Sequence, residues 1–229
     1  MAGWICLQGG GEFRRACREM EAELLARAPD GPVVILAGAA APGRDHDTAA
    51  SNGARWYAGL GAADVRVAPD PRAPGAEAGA TRAAILAAGL LVLPGGSPVR
   101  LLTMLQGELA GAVRAAHASG AAVVGSSAGA MVLAQWTYLP ERRAAAPGVG
   151  LVPGAAVLPH YSGRRDEWLR ALPAELGVLG IPESTGLLLM EADDPSTGGT
   201  VLGAGKVTRL RTPEGPPPMG GGPSSNAGA

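Results

Sequence analysis

The chain has 229 residues, 47% of them hydrophobic, which is long and apolar enough to bury the core of one large α/β domain. The formal net charge is −1 and the basic residues are scattered, so the sequence lacks the concentrated positive patch of a nucleic-acid-binding protein. We therefore expect no nucleic-acid partner.

The first residues run directly from Met1 into a short apolar segment, without the basic region and long apolar core of a secretory signal. Apolar runs such as residues 83–93 contain glycine and are much shorter than the ~20 residues that span a bilayer. We expect a cytoplasmic protein with no membrane partner. The only two cysteines, Cys6 and Cys17, are too few for a disulfide framework or a zinc site, and we expect buried, unreactive thiols.

Short apolar runs alternate with amphipathic stretches through the first half of the chain. The expected strands are Trp4–Leu7, Val33–Ala37, Asp64–Ala68, Leu90–Leu93 and Ala121–Val124, with helices at about 12–28, 47–60 and 77–88 and a last helical stretch ending near 119. Such alternation indicates βαβ units. It predicts a doubly wound, mostly parallel α/β sheet with helices on both faces.

Beyond Pro140 the pattern changes to shorter pieces. We expect strands near Ala155–Leu158, Gly186–Glu191, Thr200–Leu202 and Val207–Leu210, and a helix near Arg165–Leu172. From Thr212 onward the chain is rich in Pro, Gly and Ser and too poor in apolar residues to pack. We therefore expect one domain over residues 1–211 and a disordered tail over 212–229.

In sheets of this kind, ligands bind beyond the carboxyl ends of the strands. The residues that follow the expected strands are Gly9–Glu12, Gly38–Ala40, Pro94–Ser97 and Ser126–Ser127. The three glycines at 9–11 lack the G-x-G-x-x-G spacing of a dinucleotide site, and no acidic residue stands at the ribose position after the second strand. Nucleotide binding is therefore not expected.

A nucleophile elbow is the clearest chemical signal in the chain. Residues 123–130 read Val-Val-Gly-Ser-Ser-Ala-Gly-Ala, a strand that enters a G-x-S-x-G turn before an Ala-rich helix. In this context the central serine, Ser127, is exposed at a strained strand-to-helix turn, with Gly125 and Gly129 leaving room for the backbone. The alternative is an ordinary Gly/Ser turn in a chain with 36 glycines.

A serine nucleophile needs a base, and the chain has three histidines. His46 falls at an expected helix start and His117 within a helix, where we expect it to face the surface. His160 ends the apolar run Val157–Pro159, the position of a site residue in an α/β sheet. His160 is therefore the candidate base.

The base needs an acid to orient it. Glu183 lies in a Pro-containing turn just before an apolar strand, whereas Asp166 and Glu167 belong to an Arg-rich helix start, where they serve as partners of the helix dipole. Glu183 is the preferred acid, with another carboxylate left open. Two backbone N–H groups, those of Ala128 and Gly96, are the candidates for the oxyanion hole.

The chain order Ser127, His160, Glu183 differs from the serine, acid, histidine order of ordinary α/β-hydrolases. It resembles the dipeptidase E and cyanophycinase family of serine peptidases, a branch of the class I glutamine amidotransferase-like fold. The resemblance covers residues 4 to about 210. Its motifs are Gly-Gly-Gly-Glu at 9–12, Gly-Gly at 95–96 followed by Arg-Leu-Leu at 100–102, the elbow at 125–130, Gly-Leu-Val-Pro-Gly at 150–154, Pro-His-Tyr at 159–161 and Gly-Ile-Pro-Glu-Ser-Thr at 180–185.

This resemblance implies a flavodoxin-like three-layer sandwich, a triad of Ser127, His160 and Glu183, and an oxyanion hole at Gly96 and Ala128. It implies a small peptide as substrate, with no metal or cofactor. Because the amidotransferases of this fold carry cysteine at the elbow, it argues against glutaminase chemistry. A cyanophycinase-like or esterase-like hydrolase with the same triad, and a catalytically silent ligand-binding relative, remain open.

Substrate recognition is less defined. The chain has Ser97-Pro98 and Leu158-Pro159 where cyanophycinases tend to carry Asp-Gln pairs, and it lacks the Asn-Thr that aspartyl dipeptidases carry after the glycines. Three arginines follow the histidine and are candidates to pair with a substrate carboxylate, which would favour an acidic N-terminal residue; they are Arg164, Arg165 and Arg170. An exposed basic helix face is the alternative. The sequence leaves the oligomeric state open, a homodimer included.

Overall fold

The computed structural model describes residues 1–163 and 166–211. The candidate substrate-binding residues Arg164 and Arg165, and the tail expected at 212–229, lie outside the described residues.

Most of the strands belong to a seven-stranded sheet. The strands are β1 (Ile5–Gln8), β2 (Val33–Ile35), β3 (Val65–Val67), β4 (Leu90–Leu93), β5 (Ala122–Ser126), β6 (Ala134–Leu139), β7 (Ala144–Pro147), β8 (Val152–Pro159), β9 (Gly177–Ile181), β10 (Thr185–Leu189), β11 (Thr200–Gly203) and β12 (Thr208–Arg211). The seven-stranded sheet has the order β11-β10-β1-β5-β4-β2-β3. Strands β1 to β5 pair in parallel, and β10 and β11 extend the sheet in antiparallel pairing. The mostly parallel α/β sheet is confirmed.

A second sheet of five strands, in the order β12-β9-β8-β6-β7, was not expected from the sequence. Strands β6 and β7 form a hairpin in a region where we predicted no strand, and β9 was also missed. The reason lies in the local pattern. The helix after the elbow passes directly into β6 at Ala134 with no Gly or Pro to mark the change, and β7 is a run of alanines with weak strand preference.

The helices are α1 (Arg18–Ala26), α2 (Arg44–Leu60), α3 (Ala78–Leu86), α4 (Pro98–Leu105), α5 (Glu108–Ala118), α6 (Ala128–Leu133) and α7 (Asp166–Ala171). Two predicted boundaries were wrong. The first helix begins at Arg18 rather than near residue 12. Phe13 has a φ of 61° that a helix does not allow, and Arg15–Cys17 form a short 3-10 turn before the α-helix. The stretch before β5 is two helices, since Gly107 has a φ of 72° and interrupts it.

Buried residues of both sheets join one continuous apolar cluster. It includes Leu7 and Val123 of the seven-stranded sheet and Val157 and Leu179 of the five-stranded sheet. Helix α6 lies within this cluster, and all six of its residues are buried. The carboxyl end of β5 is therefore held on a rigid support. Within the described residues, no helix has the length and apolar character needed to cross a membrane.

Candidate active site

Ser127 lies at the turn between β5 and α6. Its backbone has φ 49° and ψ −110°, a conformation that costs an ordinary residue about 1–3 kcal/mol and that persists only where the surroundings impose it. The flanking glycines permit the turn: a Cβ at Gly129 would collide with the carbonyl oxygen of Leu93, and one at Gly125 would lie 2.6 Å from the carbonyl carbon of Gly129. The predicted nucleophile elbow is present.

His160 meets this serine from the end of β8. Its Nε2 lies 2.8 Å from Ser127 Oγ, within hydrogen-bonding distance. The backbone of His160 also has a positive φ, 50°, and its N–H donates to the carbonyl oxygen of Gly9 at 2.8 Å. The loop that carries the histidine is thus tied to the loop that follows β1.

Glu183 completes the chain of side chains. Its Oε1 lies 3.0 Å from His160 Nδ1, in the turn between β9 and β10. The side chain of Glu183 is 58% exposed and that of His160 is 42% exposed, so both are accessible to solvent. Glu167, one of the two other acids considered, instead accepts a hydrogen bond from the hydroxyl of Tyr138 at 3.0 Å. The structure thus brings Ser127, His160 and Glu183 into one hydrogen-bonded chain.

The three glycines after β1 support the histidine and the acid. Gly10 has a φ of 125°, and a Cβ there would lie 2.7 Å from His160 Nδ1 and 3.0 Å from Nε2. Its carbonyl oxygen accepts from the N–H of Ser184, next to the acid, at 2.9 Å. Gly9 donates its N–H to the carbonyl oxygen of Thr185 at 2.9 Å. Gly10 therefore packs against the imidazole, a role that the sequence reasoning missed.

Neither candidate oxyanion donor uses its N–H group in a hydrogen bond among the described residues. Ala128 is the first residue of α6, so its N–H has no partner inside the helix. In the described part of the chain, the N–H of Gly96 has no hydrogen-bond acceptor either, whereas that of Gly95 donates to Glu12 Oε1 at 2.7 Å. This difference favours Gly96 over Gly95. Gly96 itself is packed on the backbone of Ala39, and Ser97 donates its N–H to the same carbonyl oxygen at 2.9 Å.

Glu12 is a site residue to which the sequence reasoning assigned no role. Its carboxylate accepts the N–H of Gly95 through Oε1, and the hydroxyl of Ser126 through Oε2 at 2.8 Å. Glu12 thus joins the loop after β4 to the residue before the nucleophile. The available signal was its position directly after the glycine run at the end of β1.

The other singled-out residues lie outside this arrangement. His46 is buried, with Nδ1 3.4 Å from Asp47 Oδ1. His117 does not simply face solvent as predicted: it is half-buried, and its Nε2 lies 2.8 Å from the carbonyl oxygen of Gly3. Both cysteines are free and buried, as predicted, and burial raises the pKa of each thiol. Arg170 is exposed on α7, and among the described residues it makes no hydrogen bond or ion pair with the triad.

Serine hydrolases have a catalytic serine whose hydroxyl is hydrogen-bonded to an imidazole, and the imidazole is in turn hydrogen-bonded to a carboxylate. The model of peptidase family S51 matches residues 6–193, most of the chain. The chain belongs to peptidase family S51. It is therefore a serine peptidase of the dipeptidase E and cyanophycinase type, and the family resemblance found in the sequence is confirmed.

Two solved structures share the fold of this S51 peptidase. A peptidase from an acI-B1 actinobacterium is 25% identical, with a TM-score of 0.78 and coverage of 92% of this chain and 91% of that one. A putative peptidase E protein from Listeria monocytogenes EGD-e is 14% identical, with a TM-score of 0.62 and coverage of 92% and 100%. No curated protein sequence matches the chain.

Proposed function

We propose that this S51 peptidase is a serine exopeptidase, of dipeptidase type, which hydrolyses a short peptide through an acyl-enzyme intermediate. The observation that carries the proposal is the continuous hydrogen-bonded chain from Ser127 Oγ through His160 to Glu183 Oε1, with separations of 2.8 and 3.0 Å. These separations lie within the range over which a base removes a proton from a serine hydroxyl.

In this mechanism Ser127 Oγ attacks the scissile carbonyl carbon while His160 Nε2 takes the hydroxyl proton. The carbonyl oxygen becomes an oxyanion, which the N–H groups of Gly96 and Ala128 stabilise. The C–N bond then breaks, and His160 gives its proton to the leaving amine. Water attacks the acyl-enzyme with His160 again as the base, which releases the acid and restores the serine. Glu183 holds the Nδ1–H of the imidazole throughout.

We further propose that this protein works in the cytoplasm on a small peptide, and that it needs no metal or cofactor. None of the groups in the mechanism above requires a metal ion. Activity should therefore survive dialysis against a chelator, and loss of activity that added zinc restores would contradict this part of the proposal.

An acidic N-terminal residue is the proposed preference of the site. Arg170, with Arg164 and Arg165, belongs to the segment after His160. Two other arginines, Arg14 and Arg55, are among the residues that line a cavity of about 600 Å³, which Gly95 also borders. A desolvated contact between arginine and carboxylate contributes ~1.5–3 kcal/mol, which is roughly ten- to hundredfold in selectivity.

This preference is tested by the turnover of Asp-Leu and Ala-Leu in the parent and in single Arg→Ala variants at the five positions. We expect Asp-Leu to be preferred at least tenfold, and one substitution to remove most of that preference. Equal turnover of the two dipeptides by the parent would reject the acidic preference and leave the peptidase function intact.

The nucleophile is tested with a fluorophosphonate probe, which labels only an activated serine. We expect labelling and dipeptide hydrolysis in the parent, neither in Ser127→Ala, and only a mild loss in the matched control Ser126→Ala. Absence of labelling in the folded parent would favour a silent ligand-binding relative. Turnover of small esters without turnover of any dipeptide in a library would favour an esterase.

A further inference from the structure

The carboxylate of Glu12 makes no ion pair in the part of the chain that the structure describes. It is half-buried, and each of its oxygens accepts one hydrogen bond from a neutral donor, the Gly95 N–H and the Ser126 hydroxyl. Among residues 1–163 and 166–211, no Arg, Lys or His lies within 4.0 Å of it. A partly desolvated carboxylate ordinarily acquires a counter-charge, and its two oxygens offer about four acceptor positions, of which two are used here.

This carboxylate lies beside the nucleophile. A Cβ on Gly95 would lie 2.8 Å from Glu12 Oε1 and 3.1 Å from the Cβ of Ser127. The distance between Glu12 Oε1 and the Cβ of Ser127 is therefore no more than the sum of these two distances. Glu12 also lines the cavity of about 600 Å³ that Gly95 borders. Because Gly95 borders the cavity and packs against Ser127, a ligand that extends from Ser127 past Gly95 into the cavity passes beside the Glu12 carboxylate.

We propose that Glu12 binds the free α-ammonium group of the substrate's N-terminal residue. The inference rests on the proposed function and deepens it. In a peptide cleaved after its first residue, the α-nitrogen is bonded to the carbon next to the scissile carbonyl, so the ammonium group lies close to Ser127 Oγ during attack. An ammonium group supplies the counter-charge that Glu12 lacks and donates to its unused acceptor positions. Recognition of a free amine at this place restricts the enzyme to the N-terminal peptide bond.

The variant Glu12→Gln separates this role from a purely positioning role. The glutamine amide has nearly the same shape, its oxygen accepts the Gly95 N–H, and its NH₂ group donates to Ser126 Oγ. The loops around the site thus keep their connections while the negative charge is lost. A charged hydrogen bond of this kind corresponds to roughly ten- to hundredfold in kcat/KM.

The test compares two substrates that differ only in the amine, alanyl p-nitroanilide and propionyl p-nitroanilide. We expect the parent to prefer the alanyl substrate by about ten- to hundredfold. In Glu12→Gln we expect that preference to fall to within about threefold. The control Glu23→Gln removes an exposed carboxylate on α1 that pairs with Arg27, and it should keep the full preference.

Two results would contradict the binding of the ammonium group by Glu12. If Glu12→Gln lowers turnover of both substrates by the same factor, or if the parent shows no preference for the amine, Glu12 does not bind the ammonium group. The corresponding p-nitrophenyl esters repeat the comparison with a far better leaving group. If the enzyme hydrolyses the esters but not the anilides, the proposed exopeptidase function is rejected, and the two esters still measure the preference for the amine. Calorimetric titration of Ser127→Ala with alaninamide and propionamide gives the same comparison without turnover.

Discussion

Replacement of Gly10 by alanine tests the packing of the glycine run against the imidazole. The added Cβ would lie 2.7 Å from His160 Nδ1 and 3.0 Å from Nε2, and closer still to Cε1, whereas ordinary contacts of a Cβ are 3.4–4 Å. The ring would have to move by on the order of 1 Å, a displacement that costs about 10²-fold in rate when it affects a reacting group. The hydrogen bonds of His160 to Ser127 and Glu183 would both lengthen.

The backbone strain of the substitution needs its own control, because Gly10 has a φ of 125°. Gly61 has a φ of 101° at the end of α2 and open space within 4 Å, so Gly61→Ala introduces similar strain far from the site. We expect each variant to lose about 1–2 kcal/mol of stability, or roughly 2–8 °C in Tm. Only Gly10→Ala should lose kcat and fluorophosphonate labelling, by about 10²-fold.

We would measure dipeptide kinetics, labelling rate and thermal unfolding on the parent, Gly10→Ala and Gly61→Ala. Equal kcat in Gly10→Ala and Gly61→Ala, with both folded, would show that the imidazole has room to adjust. The reasoning that the glycine run fixes His160 would then fail, although the triad itself would stand.

Two further predictions concern the triad and a buried acid. In steady-state kinetics, His160→Ala should reduce kcat almost as much as loss of the serine, by about 10³-fold or more, and Glu183→Gln should reduce it less. His46→Ala should leave kcat within about twofold, and an indispensable His46 would contradict the assignment of His160 as the base. Burial raises the pKa of Glu21 from 4.5 to about 7, so the folded state binds an extra proton between these pH values and loses stability as pH rises through them. Glu21→Gln should therefore raise Tm by more at pH 8 than at pH 5. The corresponding gains in unfolding free energy should differ by up to about 3 kcal/mol, and an equal change in Tm at both pH values would contradict the raised pKa of Glu21.

The sequence by itself determined the parallel part of the fold and the residues of the expected triad. The five parallel strands are short apolar runs separated by helical patterns, a signal that is local in the chain. The elbow register at residues 125–129 singles out Ser127 for the same reason, because the tight turn and its small neighbours are adjacent in sequence. His160 and Glu183 were found because each directly follows or precedes an apolar strand.

Tertiary structure alone decided how these loops support one another. Glu12 bonds to Gly95 and Ser126, which lie 83 and 114 residues further along the chain, and no local pattern encodes such a contact. The packing of Gly10 on His160 and the second sheet are of the same kind, since both depend on which segments the fold brings side by side. Local propensity and periodicity report on neighbours in sequence, whereas the geometry around Ser127 is set by chain segments that meet only when the core is packed.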